Sequence, residues 1–549
     1  MADLWRSARR WLTQLRPLRV PEAPARAFKD LWPGDAARGQ RLVGGVLEAG
    51  GAAYPLLPAT AEAPSQGWGP ADGPLLWRAA AHGFCWLRDL RALGTDEAVV
   101  TARDLAHDWL AHGAAEELAQ APEVAGARIS ALLGHWDFLA ATADDAFRRA
   151  LMARIVQDGR AILSALPAEA AHRGALVTLK AAIAAAVALE EPGWLQRALR
   201  LLPGELERQF YPDGGHVERS PSQHLAALQD LIEIRNLIHG VGAQPPASLP
   251  LVIERACQAL RFWRHPDGSL ALFNGSREES GTLVDLVLHH GQARGRAPML
   301  LQDTGFHRLQ ASRTLVLVDC GAPPPGAPPD PATGLPRGAD RFAHAGTLSF
   351  EMSVGRDRVV VNCGAVPFTD GAWRDALRST AAHSTLVLAD TSSAELRPEG
   401  LGRRPEHVEV SRIEQDHAHF LELTHDGYRR QFHALHRRKL YLAENGDDLR
   451  GEDAVELPGG EVESLAWVVR FHLHPHVLAM VQEGEQGVLI RLPSGQGWRL
   501  RARGARVSLE ESVYWGGGEM RRSQQVVLAA EPGVASVVWA ISRVPAQGE

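Results

Sequence analysis

The chain has 549 residues, of which 45% are hydrophobic and 22% are charged, and its formal net charge is -7. This length exceeds what one ordinary core supports, so we expect at least two domains in a folded, soluble protein. The negative net charge argues against general nucleic-acid binding. The sequence contains no run of about 18 apolar residues, so no membrane-spanning helix is predicted.

The basic and sulfur-containing residues are unevenly used. Lysine occurs at only three positions, so nearly all basic residues are arginine. A GC-rich genome explains this usage, but guanidinium groups would also suit carboxylate or sulfate ligands. The four cysteines stand far apart without a CxxC pair, which predicts buried thiols in a reducing compartment: Cys85, Cys257, Cys320 and Cys363.

Residues 1–73 are interpreted as an N-terminal extension. The first 20 residues are arginine-rich and amphipathic, but they lack the continuous apolar core of a secretion signal. This segment could lie on a membrane surface or pack on the protein, and the pattern favours packing on the core. We therefore expect a cytoplasmic protein.

Residues 74–300 are predicted to be helical. Apolar residues recur at helical spacing in three long segments, 96–114, 144–166 and 174–191. Glycine- and proline-containing breaks divide the region into helices of ordinary length. Successive antiparallel helices of this kind form a bundle, a solenoid or a closed α/α toroid.

The stretch FYPDGGHVERSPSQHLAALQDL, residues 210–231, joins a tight turn to a helix. The glycines of PDGG allow positive φ, and Ser220 before Pro221 is typical of a helix start. Such a helix start favours anions. We refer to residues 212–220 as the elbow.

The polar residues of the elbow permit two interpretations. If residues 216–220 are extended, His216 and Glu218 point to one side and Arg219 to the other. A capped helix with a salt bridge explains this pattern, and so does a loop that touches a ligand.

A proline-rich segment, residues 321–340, separates the helical region from most of the predicted strands. Its sequence, GAPPPGAPPDPATGLPRGAD, predicts a loop without regular structure near a domain junction. We refer to it as the proline loop. Residues 307–320 already alternate as a strand, so the boundary is placed near residue 300 and the second domain at 301–549.

Beyond the proline loop the hydrophobic period is two. Predicted strands lie at 347–354, 357–364, 384–390, 419–423, 465–477, 487–492 and 535–544. Many strands without intervening helices favour an antiparallel β-sandwich. The pattern therefore predicts an all-α domain followed by an all-β domain.

Several histidines accompany these strands. His344 precedes one strand and His383 another, and each is typical of a structural histidine unless a third ligand joins them. In RFHLHPHV, three histidines alternate at 472, 474 and 476, but the proline and the lack of nearby carboxylates favour a solvated or sugar-facing strand over a metal site. The pattern of residues 425–442 predicts a strand pair. This pair could line a groove for an acidic ligand, or it could form only a polar sheet face.

Familiar catalytic signatures are missing from the sequence. The sequence has no GxGxxG motif after a strand, no P-loop lysine motif, no GxSxG motif of serine hydrolases and no HExxH motif. Nucleotide-binding and serine-hydrolase functions are therefore disfavoured.

Four segments together resemble the heparinase II/III-like family of bacterial polysaccharide lyases: PDGGHVERSPSQH, HAGTLSF, VVVNCG and LRSTAAHSTLVLADTSS. The resemblance extends from about residue 68 to the end. It implies an incomplete α/α toroid followed by an antiparallel β-sandwich, with a glycan cleft between them. It also implies β-elimination, in which a base removes the C5 proton of a uronate and the glycosidic bond at C4 breaks. That reaction needs a neutralised carboxylate, a base and an acid.

The resemblance assigns catalytic positions unevenly. Gln223 stands where the family has a catalytic tyrosine, and glutamine cannot exchange a proton. The family's Asn-His pair falls on Ala171 and His172, so the histidine alone is kept. Phe342 stands where a further histidine often joins catalysis.

The resemblance also implies a metal site. Its ligands, a histidine, an aspartate and a histidine in the family, fall here on His344, Asn362 and His383. Because asparagine is neutral, it is a poor zinc ligand, and the implied zinc site is degenerate. Alternatively, Asn362 orients one histidine through a hydrogen bond.

Three hypotheses follow for the function. The first is a lyase acting on an acidic polysaccharide or oligosaccharide, with His172 or His216 as base; its expected substrate-binding residues are Arg219, Gln223, Trp373, Arg374 and Arg378. The second is a non-catalytic glycan-binding or polysaccharide-assembly protein on a lyase scaffold. The third is a hydrolase using Glu218 and another acid. Family lyases usually act in the periplasm or outside the cell, so the cell envelope is the alternative location.

Overall fold

The computed structural model describes residues 20–26, 28–57, 68–457, 465–482 and 487–545. The amphipathic segment 1–19 lies outside the described residues, so its packing on the core stays a prediction. Helices occupy the chain as far as Gly291, and strands dominate from Leu300 onward. The predicted order of an α region followed by a β region is confirmed.

The helices of the described residues are numbered in chain order. They are α1 Ala36–Val43, α2 Leu75–His82, α3 Leu87–Leu93, α4 Asp96–Asp108, α5 Glu117–Gln120, α6 Pro122–Gly134, α7 Trp136–Ala140, α8 Asp145–Ala165, α9 Arg173–Ala188, α10 Pro192–Gln209, α11 Pro221–Gly240, α12 Ser248–Phe262, α13 Gly281–Gly291, α14 Ala372–Arg378 and α15 Arg429–Phe432. A π turn at Trp109–Gly113 continues α4. The three long helices predicted from the periodicity correspond to α4, α8 and α9.

Helix α9 forms the centre of the helical region. Every residue from Gly174 to Ala188 is buried, and the helix packs on α6, α10 and α11. Its alanine-rich sequence explains this position, since a mostly apolar helix belongs in a core and small side chains allow close neighbours. Its one buried charge, Lys180, is paired with Asp230 and Glu233. The surrounding helices form an incomplete α/α toroid.

The strands of the described residues follow the same numbering rule. They are β1 Val46–Ala49, β2 Ala52–Pro55, β3 Leu300–Leu301, β4 Phe306–Ala311, β5 Thr314–Asp319, β6 Phe350–Val354, β7 Asp357–Val361, β8 Leu386–Leu388, β9 Leu396–Arg397, β10 Gly400–Leu401, β11 Val408–Gln415, β12 Ala418–His425, β13 Leu435–Leu442, β14 Asp448–Glu456, β15 Trp467–Leu473, β16 Leu478–Val481, β17 Gly487–Arg491, β18 Gly497–Arg503, β19 Ala505–Tyr514, β20 Arg521–Ala530 and β21 Ser536–Arg543.

Two large antiparallel sheets pack as a sandwich. One has the order β19-β20-β15-β7-β6-β5-β4-β3, with β8 also paired to β15, and the other has the order β11-β12-β13-β14-β21-β18-β17-β16. Residues alternate between buried and partly exposed along β12, as expected for a strand with one face in the core. Phe350 of the first sheet stacks on Trp539 of the second, with ring centroids 5.8 Å apart.

A buried polar cluster also joins the two sheets. Asp453 of β14 accepts hydrogen bonds from Arg438, His436 and Trp539. Arg438 in turn donates to the carbonyl oxygens of Leu348 and Ser384, which flank strands of the opposite sheet. Because each of these side chains is buried and bonded, the cluster fixes how the sheets face each other.

The β1–β2 hairpin connects the N-terminal part of the chain to the sandwich. The amide of Phe368 donates to the carbonyl oxygen of Gly50 at 3.1 Å. Gly50 has φ +56°, and a Cβ there would overlap the Phe368 ring. The turn therefore requires glycine for both its conformation and its closeness to Phe368.

Several local expectations were wrong. Strand β15 ends at Leu473, so His474 and His476 lie beyond it and the three histidines do not share a strand face. A short helix, α15, separates β12 from β13 within residues 425–442. Cys85 is exposed, whereas the other three cysteines are buried as expected.

No helix in the described part of the chain is long and apolar enough to cross a membrane.

Candidate functional site

The elbow is a rigid turn that ends in a helix cap. The amide of Arg219 donates to the carbonyl oxygen of His216, and Arg219 has φ 52°. The segment is therefore a turn, and the expected extended conformation of residues 216–220 is wrong. The predicted helix start is confirmed, because the Ser220 side chain caps α11 and Pro221 is its first residue.

His216 is fully buried in this turn. Its Nε2 lies 2.9 Å from Oε1 of Gln209, while its Nδ1 faces the amide of Glu218. The Gln209 amide group donates elsewhere, so Oε1 accepts and the proton of His216 resides on Nε2. Burial, followed by the charges of His224 and Arg341, holds the pKa of His216 well below its usual value. This histidine is neutral with both nitrogens engaged.

His172 caps α9 and anchors the proline loop. Its Nδ1 accepts from the amide of Gly174 at 2.9 Å, and its Nε2 lies 2.8 Å from the carbonyl oxygen of Pro336. These partners assign the proton to Nε2. Burial and the charge of Arg341 lower the pKa of His172 to about 3. In this arrangement, neither ring nitrogen has a lone pair free to accept a substrate proton.

The proline loop lacks regular structure, as predicted, and lies against the helices beside His172. Leu335 packs in an apolar cluster with Leu118, Ala121 and Val124 of the helical region. The amide of Ala171 donates to the carbonyl oxygen of Arg337 at 2.8 Å. Backbone and side-chain contacts together hold the loop over the segment that the family resemblance assigns to catalysis.

Glu218 is paired with an arginine that directly follows the proline loop. Oε2 of Glu218 lies 2.8 Å from Nε of Arg341, and Oε1 accepts from the amide of Arg173 at 3.0 Å. Burial alone would raise the pKa of the Glu218 carboxyl, but Arg341 and these hydrogen bonds hold the pKa below its usual value. Arg341 also reaches Oε1 of Gln223, at 3.3 Å.

Glu123 lies in the same region and was missed in the sequence. Its Oε2 is 3.7 Å from Nε2 of His172, and it lines a cavity of about 140 Å³ with Gly174, Asp330 and Arg337. Burial raises the pKa of Glu123 to about 7. A glutamate in the first turn of α6 carries no local signal of this environment, which arises only when the proline loop covers it.

Arg219 connects the elbow to the start of the sandwich. It makes five hydrogen bonds, four of them to carbonyl oxygens of residues 304, 305, 321 and 322, and the fifth to the carboxylate of Asp319. Its guanidinium also lies 4.7 Å from the ring centroid of Phe306. Its role in substrate binding stays a prediction. Its contacts show that it joins the helical domain to the start of the sandwich.

Three further residues expected to bind substrate lie at or near α14. Trp373 is exposed and its ring contacts Trp515, whereas Arg374 donates to the carbonyl oxygen of Pro398. Arg378 is buried and donates to the carbonyl oxygens of residues 343, 397 and 400. Arg374 and Arg378 line one narrow gap with Arg341, Phe342 and His344. The structure thus places Arg374 and Arg378 beside Arg341.

Two residues of the implied metal site, His344 and His383, are in contact, and the third bonds to the residue that follows His383. Nδ1 of His344 lies 3.1 Å from Nε2 of His383, whose Nδ1 donates to the carbonyl oxygen of Ser379. Oδ1 of Asn362 accepts from the amide of Ser384, and its Nδ2 is buried without a hydrogen-bond partner.

These donors do not fit a zinc ion. Two imidazoles and a neutral amide lack the anionic third ligand, and an amide nitrogen does not coordinate. Within the described ranges, no group of three or more His, Cys, Asp or Glu residues could hold a metal. The two histidines instead form a direct hydrogen bond with each other.

Comparisons with known proteins cover nearly the whole chain. The model "Heparinase II/III N-terminus" matches residues 141–290, and the model "Heparinase II/III-like, C-terminal" matches residues 293–540. A protein of Caulobacter vibrioides (strain NA1000 / CB15N) named "FtsZ-localized protein C" is 30% identical over an aligned length of 544 residues, and the alignment covers 95% of this chain and 91% of that protein.

Solved structures show the same fold at low sequence identity. Heparinase III superposes with a TM-score of 0.74 at 13% identity, covering 98% of this chain and 89% of that one. The chondroitin AC lyase of Streptomyces coelicolor, solved in complex with chondroitin sulphate, has a TM-score of 0.53 at 11% identity, covering 99% and 83%. The predicted fold, an α/α toroid followed by an antiparallel β-sandwich, is confirmed.

Proposed function

The chain belongs to the heparinase II/III-like family, and from this premise we propose that it is a binding protein on a polysaccharide-lyase scaffold that does not carry out β-elimination. The observation that carries the proposal is the bond from His172 Nε2 to the carbonyl oxygen of Pro336. A general base needs a free lone pair within reach of the substrate proton. The ring nitrogens of His172 are bonded to the proline loop and to the Gly174 amide. Those of His216 are bonded to Gln209 and to the Glu218 amide.

The charges of the cleft support the same proposal. A uronate must have its carboxylate neutralised before the C5 proton can leave, and a guanidinium could supply that charge. Arg341 is already paired with the buried carboxylate of Glu218. With Gln223 at the position of the family tyrosine, that position has no group that can transfer a proton to the leaving oxygen.

The biological role is proposed from the curated relative. That protein is named for its localisation with FtsZ, and the alignment covers 95% of this chain. We infer that this chain also works in the cytoplasm, bound to assemblies that contain FtsZ. An acidic glycan is the alternative partner, which the lyase structures support by their fold alone.

A second candidate function, β-elimination with a different proton-transfer group, is favoured by Glu123. Its pKa of about 7 matches what a general acid or base needs near neutral pH, and it borders the cavity beside His172. For this function the proline loop would have to leave the cleft.

One assay separates the two functions. Purified protein is incubated with heparan sulfate, chondroitin sulfate and alginate, and unsaturated uronate is followed by ultraviolet absorbance. The proposal expects no rise for the wild type or for Leu335→Ser, which loosens the proline loop. A rise in either that is abolished by Glu123→Gln would establish the lyase and overturn the proposal. Co-sedimentation with FtsZ filaments tests the partner separately.

A further inference from the structure

A second cavity lies outside the cleft, where the end of the toroid meets the sandwich. Its volume is about 780 Å³, within the range of ligand sites, and it is open to solvent. Its lining comes from the end of α12, the turn at residues 264–268, the start of α13, strand β4 and the β6–β7 turn. Four arginines lie among its walls: Arg261, Arg264, Arg308 and Arg356. We refer to this cavity as the arginine pocket.

Arg308 is the most informative of the four. The residue is buried, with 7% of its surface exposed, and its side chain donates to the carbonyl oxygen of Phe262 and to Oε1 of Gln310. No carboxylate in the described part of the chain pairs with it. Burial lowers its pKa to about 10. A buried cation that lines a cavity without a counter-charge is typical of a site for an anion.

The rest of the lining adds positive charge. Arg356 is exposed on the β6–β7 turn, and Arg261 donates to the carbonyl oxygens of Cys257 and Ala293. The pocket's two aspartates are each already paired: Asp285 with Arg264 at 2.7 Å, and Asp267 with Arg358 at 2.8 Å. The walls therefore retain three arginines without an acidic partner among the described residues.

A helix start completes the positive surface. Gly281 and Thr282, the first residues of α13, line the arginine pocket, and the preceding Ser280 makes no side-chain cap. The unpaired amide groups of this 11-residue helix add a partial positive charge at the same wall.

We propose that the arginine pocket binds an acidic peptide segment through its carboxylates. Guanidinium groups pair with carboxylates bidentately, and the three unpaired arginines are spread over elements of both domains, as a multivalent ligand requires. The described residues that line the pocket include no Trp, Tyr or Phe on which a sugar ring would stack, which disfavours a saccharide. The pocket is separate from the cleft, so its ligand does not depend on whether the cleft is catalytic.

The experiment uses the full chain and fluorescein-labelled hexaglutamate, followed by fluorescence anisotropy, with hexaglutamine as the neutral control peptide. We expect binding of hexaglutamate that weakens with added salt and no binding of hexaglutamine. The double variant Arg261→Gln/Arg356→Gln should weaken binding by about tenfold or more, as expected for the loss of two charge-assisted contacts. Arg506→Gln, an exposed arginine on β19, should leave the affinity unchanged.

Arg308→Gln gives an independent check, because its charge has no acidic partner to lose. We expect it to fold, with a melting temperature lowered by the loss of the hydrogen bonds to Phe262 and Gln310, and to bind hexaglutamate more weakly than the wild type does. Equal binding by the wild type and the double variant would overturn the site. Tighter binding of a heparin-derived tetrasaccharide than of hexaglutamate, abolished by the same double variant, would overturn the peptide assignment.

Discussion

Arg341 Nε lies 2.8 Å from Glu218 Oε2, and this ion pair is formed across 123 residues of chain. Glu218 belongs to the elbow of the toroid, whereas Arg341 follows the proline loop at the entry to the sandwich. The pair therefore fastens the loop to the elbow. It also removes from the cleft both a carboxylate and a guanidinium that a glycan would otherwise meet.

The first prediction concerns this pair. Arg341→Gln should destabilise the protein by about 3–5 kcal/mol, because it leaves the buried carboxylate of Glu218 without its partner. Glu218→Gln/Arg341→Gln should recover part of that loss, since neither charge is then left alone. Urea denaturation at neutral pH measures the free energy of unfolding of each variant.

An exposed pair supplies the control. Arg430 and Glu406 lie 2.6 Å apart with side chains that are 68% and 56% exposed. Arg430→Gln should change the free energy of unfolding by no more than about 1 kcal/mol. A loss in Arg341→Gln as small as this would show that the buried pair does not secure the loop.

The types of element could be predicted because their signals are local. Apolar residues at helical spacing predicted helix α9, alternation predicted strands such as β12, and Ser220 before Pro221 predicted the start of α11. Each signal depends on residues within a few positions of one another. The proline loop could also be predicted, since its composition prevents regular structure.

The site could not be predicted to the same extent, because its contacts join distant parts of the chain. Nothing around Glu123 indicates that His172 and the proline loop will cover most of it. The elbow was expected to be extended from its alternating polar residues, yet Arg219 adopts φ 52°. The Arg219 side chain makes five hydrogen bonds in that conformation. Their partners lie some 85 to 103 residues away along the chain, so no local pattern predicts them.

The second prediction concerns the pH dependence that Glu123 creates. Burial raises the pKa of Glu123 from 4.5 to about 7. Below pH 4.5 the Glu123 carboxyl is protonated in both the folded and the unfolded chain. Between pH 4.5 and 7 it is protonated mainly in the folded chain. The contribution of Glu123 to stability therefore falls as the pH rises through this window, by about 3.5 kcal/mol at about 1.4 kcal/mol per pKa unit.

The free energy of unfolding measured from pH 5 to 8 tests this. Glu123→Gln should become more stable than the wild type as the pH rises, with the difference reaching a plateau above about pH 7. Glu117→Gln, an exposed change on the neighbouring helix α5, serves as the control variant. Parallel curves for Glu123→Gln and the wild type would contradict the buried environment of Glu123.

The third prediction concerns the histidine pair. Asn362→Asp should create the His-Asp-His donor set that zinc prefers, because the new carboxylate supplies the missing anionic ligand. Without zinc, the variant should melt at a lower temperature than the wild type, since it buries a charge. Added zinc should restore its melting temperature but leave that of the wild type unchanged.

Calorimetric titration with zinc checks the stoichiometry of that site. Asn362→Asp/His383→Ala should lose the binding that Asn362→Asp gains, because one imidazole is then missing. One zinc ion bound by the wild-type protein, and lost on His383→Ala, would show that the neutral amide does not prevent binding.

The fourth prediction concerns the cluster that joins the sheets. Burial would raise the pKa of Asp453, but the charge of Arg438 and the bond from His436 hold the pKa far below its usual value. The stability from this carboxylate is present above the unfolded pKa of 3.8 and is lost as the pH falls below it. Asp453→Asn should therefore destabilise the protein by about 3–5 kcal/mol at neutral pH, because Arg438 stays buried without its partner.

The size of the effect should depend on burial, and strand β14 offers a matched test. Asp448, at the start of the same strand, pairs with Arg450, whose side chain is 65% exposed. Asp448→Asn should cost no more than about 1 kcal/mol, since water screens that pair. Because the unfolded chain takes up a proton at Asp453 below pH 3.8 while the folded chain keeps the carboxylate ionised, the difference between Asp453→Asn and the wild type should shrink as the pH falls below 3.8. Equal losses for both variants at neutral pH would mean that the buried cluster does not hold the two sheets together.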